Sequence, residues 1–168
     1  MELAASAPME LPQLTDGSQI AERCAGRKLC VLAFLPHILD SGKAGREAYL
    51  EALGAAAKKV RPDLFSFLWS EGGAQPGLEE AFGLTFGWPV VVAYSGEKSA
   101  FAMHVGSFEP AAIGAFLTGL TTGSTKTTRL PGADAALPAV RAVAAWDGEE
   151  PQAAQEEMSL EELFGDEL

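Results

Sequence analysis

Seven consecutive apolar residues, Leu29 to Leu35 (LCVLAFL), stop at Pro36, and this run constrains the fold more than any other stretch. A strand whose side chains do not alternate has no face for water, so it must be covered on both sides. Helices on both faces of a sheet provide that cover. The flanking sequence supplies them. From about Lys43 to Lys59 the apolar positions Tyr49, Leu53, Ala56 and Val60 recur at helical intervals, which predicts a long amphipathic helix closed near Pro62. Leu64 to Ser70 (LFSFLWS) reads as a second strand, and Gly77 to Gly83 as a short helix with Leu78, Ala81 and Phe82 inward. Pro89 to Tyr94 (PVVVAY) is a β-branched strand; the turn Ser95-Gly96-Glu97-Lys98 returns it to an antiparallel partner at Ala100 to Val105. A last helix begins at Glu109-Pro110, with proline in its first turn, buries Ile113, Phe116, Leu117 and Leu120, and ends at Gly123. Ahead of the run, Leu11 to Leu14 (LPQL) is extended. Asp16 and Gln19 form a capping-box pattern for a short helix with Ile20 and Cys24 inward and Gly26 at its end.

The order expected is β-α-β-α-β-α-β-β-α, an α/β fold with a mixed central sheet and helices on both faces. The chain's 168 residues suffice for one such domain and an extension. Residues 1–10 are expected to lack structure, 11–123 to form the domain, and 124–146 to be an extended segment docked on it through Trp146. Residues 147–168 are too polar to fold alone. That last segment holds nine acidic residues and no Lys or Arg, so it carries −9 of the net −11 and leaves the body near neutral. Nucleic-acid binding, which needs clustered cations, is not expected; Arg23, Arg27 and Lys28 read as a solvated face. No apolar run approaches the roughly 18 to 20 residues needed to span a bilayer. The start, MELAASAPMELPQ, lacks the basic and apolar regions of a signal peptide. Yet the last residues, Gly165, Asp166, Glu167 and Leu168, read as a variant of the KDEL and HDEL retrieval addresses, which implies a retrieval receptor as partner. The two ends agree if the chain is the C-terminal part of a longer secretory-pathway protein. There is no Asn, hence no N-glycosylation sequon.

The strand-helix order is that of thioredoxin, and CAGRKLCVLAFLPHILDSGKAGREAYLEAL resembles a narrower group. It is similar to the C-terminal non-catalytic domain of protein disulfide isomerases built as two CxxC thioredoxin domains followed by one inactive domain. FLWSEGGAQPGLEEAFGL, FGWPVVVAY and the tail from AAWDGEE to GDEL continue the likeness in order, from about Leu11 to Leu168. The resemblance implies a thioredoxin-like fold and a CxxC site just after the buried strand. Here that place reads PHILDSGK, residues 36 to 43, without cysteine. Dithiol exchange needs a thiolate stabilised by the N–H groups of a helix start, so the domain is expected to be redox-inactive there. The resemblance also makes Pro89 the counterpart of the family's cis-proline, and marks His37, Ile38, Leu39 and Trp88 as a candidate peptide-binding surface for unfolded or disulfide-containing clients.

Cys24 and Cys30, in CAGRKLC, are the only cysteines. Zinc would need about four converging ligands, and His37 and His104 are the only histidines to add. A thiol oxidoreductase working through Cys24 and Cys30 is an alternative. Against it, a helix C-terminus and a buried strand both raise a thiol pKa. A structural disulfide across the helix-to-strand turn is the favoured reading, with a pair of reduced, buried thiols the other. No cofactor is expected; the tail reads as a solvated segment presenting GDEL clear of the body, with weak Ca²⁺ binding by its carboxylates, which suit a hard cation, as a further alternative.

Overall fold

The computed structural model describes residues 11–24, 29–85, 87–131 and 137–151. Its elements, in chain order, are α1 (Ser18–Cys24), β1 (Leu29–Leu35), α2 (Ile38–Ala57), β2 (Phe65–Glu71), α3 (Pro76–Ala81), β3 (Val90–Ser95), β4 (Ala100–His104), α4 (Pro110–Thr122) and β5 (Thr128–Arg129). The strands form one sheet in the order β2-β1-β3-β4-β5. Only β1 and β2 run parallel; the other pairings are antiparallel.

The non-alternating run of β1 ends up near the centre of this sheet, and its successive side chains enter two different cores. Val31, Ala33 and Leu35 point to one face, where Leu53 and Ala56 of α2 and Ile113 and Leu117 of α4 cover them. Cys30, Leu32 and Phe34 point to the other, under Leu14, Leu78, Phe82 and Leu130. Both sets are essentially inaccessible to water. A continuous apolar strand is what two covered faces require.

The N-terminal segment differs from the expected strand. Leu11 to Leu14 makes a single bridge, Gln13 to Trp69, on the outer edge of β2. Leu14 N–H donates to Trp69 O at 2.7 Å and Trp69 N–H to Pro12 O at 3.1 Å. Pro12 has no N–H, so the ladder cannot extend through it. The Gln19 carboxamide oxygen accepts the Asp16 N–H at 3.0 Å, and Asp16 in turn accepts the Ser18 N–H at 2.9 Å, so α1 is capped by the residues the sequence suggested.

A fifth strand was not legible in the sequence. Thr128 and Arg129 pair with Phe101 and Ala100, and Leu130 behind them is buried. Two exposed polar residues carry no alternation from which a strand can be read. Beyond them, residues 137–151 form neither helix nor strand, with no buried residue among them.

Candidate functional site at the start of helix α2

Pro36 ends β1, and His37 caps the next helix: its φ of −56° and ψ of 146° are non-helical, and its Nδ1 accepts the Leu39 N–H at 3.1 Å. The helix then starts twice. Ile38 to Ser41 form a first turn, Gly42 breaks it with φ 71° and ψ 173°, and a second start follows at Lys43. A side chain at such a φ would be strained, so the residue there is glycine. Helix starts leave N–H groups without internal partners, and here two carboxylates take them. Glu71, at the end of neighbouring β2, accepts the Ile38 N–H at 2.9 Å. Glu150, from the C-terminal segment, accepts the Lys43 N–H at 3.0 and 3.3 Å with its two oxygens.

Glu71 also holds Arg46, which points inward from α2 and is 2% exposed. The guanidinium Nη2 donates to Glu71 Oε2 at 2.8 Å and to Pro36 O at 2.9 Å. It lies between two indole rings, 5.1 Å from the centre of Trp69 and 5.2 Å from that of Trp146, an arrangement in which the ring faces attract the cation. Its Nε has no hydrogen-bond partner among the described residues. Burial pushes the Glu71 carboxyl upward, but the hydrogen bonds from Arg46 and from the Ile38 N–H, with the charges of His37 and Arg46, more than offset it. The carboxyl sits below its ordinary value. The ring Nε2 of His37 is 3.8 Å from the other Glu71 oxygen.

The surface marked by sequence divides into exposed and packed members. His37 is exposed, Leu39 is 55% exposed, and Ile38 is half-buried. Trp88, also half-buried, stacks on Phe34 with ring centres 6.2 Å apart. Its indole lies so close over Gly72 that a Cβ there would meet the ring at 2.4 Å. The Trp88-Pro89 peptide bond is cis. Since Phe34 pairs with Val90, the cis bond and the start of α2 lie at one end of the sheet.

Cys24 and Cys30 are joined in a disulfide with Cα atoms 5.4 Å apart. It ties the last residue of α1 to the second residue of β1. A strand rises about 3.3 Å per residue, so the bond lies roughly 15–20 Å from Pro36, at the opposite end of β1. His104 Nε2 lies 2.7 Å from Ser107 O, and its ring packs on Phe116. Among the described residues no group of three or more His, Cys, Asp or Glu could hold a metal ion. No helix among them is long and apolar enough to cross a membrane. Gly165, Asp166, Glu167 and Leu168 lie outside the described residues, as does most of the acidic tail for which Ca²⁺ binding is an alternative.

Arg46, Glu71 and Glu150 escaped the sequence reading. Arg46 did leave a signal: it stands seven residues before Leu53, on the buried stripe of α2, where a charge must find a partner. Nothing local in the sequence brings Glu150 to residue 43.

Residues 2–125 match the family described as PDIA6-like, C-terminal thioredoxin-like domain. The chain is 37% identical to protein disulfide-isomerase A6 of Homo sapiens, over 96% of this chain and 38% of that protein. It is 35% identical to protein disulfide isomerase-like 2-3 of Oryza sativa subsp. japonica, over 97% of this chain and 36% of that one. It therefore spans little more than a third of these relatives. Among solved structures, the bb fragment of ERp72 shares the fold with a TM-score of 0.53 at 17% identity, covering 67% of this chain and 49% of that one. The Trx4 domain of ERdj5 gives 0.50 at 16% identity, covering 69% of this chain and 99% of that domain. A thioredoxin-like sheet of this topology and a sequence match across most of its length have one conclusion: the chain belongs to the protein disulfide isomerase family, as a PDIA6-like C-terminal thioredoxin-like domain.

Proposed function

We propose that this chain is a redox-inactive module of a protein disulfide isomerase acting in oxidative protein folding in the endoplasmic reticulum lumen. It contributes client or partner binding, stability and, through GDEL, retrieval; the catalytic CxxC domains belong to the parent protein. One observation carries the reading. The start of α2, where a dithiol would need free N–H groups and a positive dipole to stabilise a thiolate, holds no sulfur and gives its Ile38 and Lys43 N–H groups to Glu71 and Glu150. The two cysteine sulfurs are at the far end of β1, and Cys30 is only 2% exposed, so a folding client has poor access to the Cys30 sulfur. Exposed Leu39 and His37, beside Ile38 and Trp88, supply apolar and polar contact for an unfolded segment. The acidic tail is read as a solvated segment that presents GDEL clear of the body, with weak Ca²⁺ binding through its clustered carboxylates as a further alternative.

An insulin-reduction assay on this chain tests the redox reading. Turnover is expected to equal the rate with dithiothreitol alone. A faster rate that disappears in Cys30→Ser would establish the alternative, a thiol oxidoreductase using Cys24 and Cys30.

A further inference from the structure

A cavity of about 400 Å³ opens where β1 begins, at the end of the sheet opposite the start of α2. Small-molecule sites span roughly 300 to 1,000 Å³, so the space suits a ligand. The sequence explains the room. Ala93, Ser95 and Ala100, three small side chains on β3 and β4, line it, with Ser95 paired to Ala100. Leu29 at the first position of β1, Leu64 just ahead of β2 and Leu120 in the last turn of α4 supply apolar walls. Two polar groups give the cavity chemical direction. Ser95 is 8% exposed; its Oγ accepts the Lys98 N–H at 3.2 Å, and its own O–H has no acceptor among the described residues. A buried donor left unspent favours a ligand that brings an acceptor oxygen. Lys98 also lines the cavity, and its exposed ammonium has no ion-pair partner among the described residues. Arg61, the other cation there, is bound to Asp63 at 2.7 Å.

We propose that this cavity binds a small amphipathic carboxylate, an apolar chain or ring carrying one acid group. The apolar part lies against Leu29, Leu64 and Leu120. One carboxylate oxygen accepts the Ser95 O–H, a charge-assisted bond stronger than a neutral one, and the charge faces Lys98. Exposed Glu97, the next residue in the turn and also in the lining, opposes that charge weakly. An alcohol of the same length would leave Lys98 unanswered, and an ammonium would offer Ser95 no acceptor. The cavity shares no residue with the surface around His37, Leu39 and Trp88, and its occupancy does not depend on the redox reading.

Decanoate, decanol and decyltrimethylammonium, each titrated into the isotope-labelled full chain below its micelle concentration, test this by nuclear magnetic resonance. Decanoate should shift the Ala93, Ser95, Ala100 and Leu120 amides saturably and bind about tenfold more tightly than decanol. The ammonium should leave them unshifted. Ser95→Ala should weaken decanoate binding about tenfold. Lys98→Gln should weaken it about threefold and Glu97→Gln strengthen it about twofold, both without effect on decanol. Where Ser95→Ala disturbs the turn, seen as shifted β3 and β4 amides in the free chain, the two exposed charge variants decide. Failure of decanoate to saturate, equal binding of the ammonium, or shifts centred instead on Ile38, Leu39 and Trp88 overturns the proposal. So does a Lys98→Gln effect that is equal for decanoate and decanol. Shifts at the amides of residues 152–168 with the same concentration dependence would make the chain's own acidic tail the occupant and overturn it. Dimers in sedimentation that decanoate dissociates would assign the cavity to a second copy, with the same result.

Discussion

The Glu71 carboxylate answers two donors at once, the Ile38 N–H and the Arg46 guanidinium. Alanine at 71 would leave Arg46 in place, 2% exposed, with Pro36 O as its remaining oxygen partner. Losing one partner of a buried charged group costs more than the pair contributes, because the other stays desolvated. Glu71→Ala should therefore lower unfolding stability by about 2 kcal/mol at neutral pH, measured by urea denaturation. The pH dependence follows from the depressed carboxyl. Stability from Glu71 is fully present above its ordinary value of 4.5 and is lost as pH falls through the lower folded-state value. The variant should show a shallower loss of stability on that acid limb. Identical limbs in the two proteins would remove Glu71 from the account. Such a residue is hard to find in a sequence, since a glutamate ending a strand is ordinary. Arg46 was more accessible to inference, being a charge on an apolar stripe.

At the scale of elements, α1 and α2 illustrate two kinds of legibility. The seven residues of α1 bury none of their side chains completely; caps and the disulfide hold it. Closing so short a loop, with the cysteines six positions apart, should contribute about 2 kcal/mol through the entropy of the unfolded chain. Reduction, or Cys24→Ser/Cys30→Ser, should lower the urea midpoint accordingly and leave far-ultraviolet circular dichroism nearly unchanged. Alkylation followed by mass spectrometry checks the premise: free thiols in protein from an oxidising compartment would sink it. For α2, the apolar spacing located the segment after Lys43. The extra turn from Ile38 to Ser41 obeys no periodicity and depends on Gly42, a conformation visible only in the folded backbone.

Across the whole molecule, β1 is bonded to β2 on one side and β3 on the other, and its side chains belong to both cores. Neither core can dissolve without exposing it. Amides in the middle of β1 and β3 should exchange with solvent only through global unfolding, whereas β5, two exposed residues at the sheet edge, should exchange through local opening. Amide exchange followed by nuclear magnetic resonance checks this, and comparable protection in β1 and β5 would refute it. The overall architecture was legible because it follows from apolar period and punctuation by proline and glycine. The candidate site was legible as a lack of cysteine and as the surface around His37, Ile38, Leu39 and Trp88, but not in its charged members, which come from three separate stretches of chain. That distribution bears on any attempt to retrofit the domain as an oxidoreductase. A cysteine grafted at Ile38 would have its own N–H on the Glu71 carboxylate, and that negative charge opposes a thiolate. Restoring sulfur alone would yield a sluggish nucleophile; the graft would also have to replace Glu71 and rehouse Arg46.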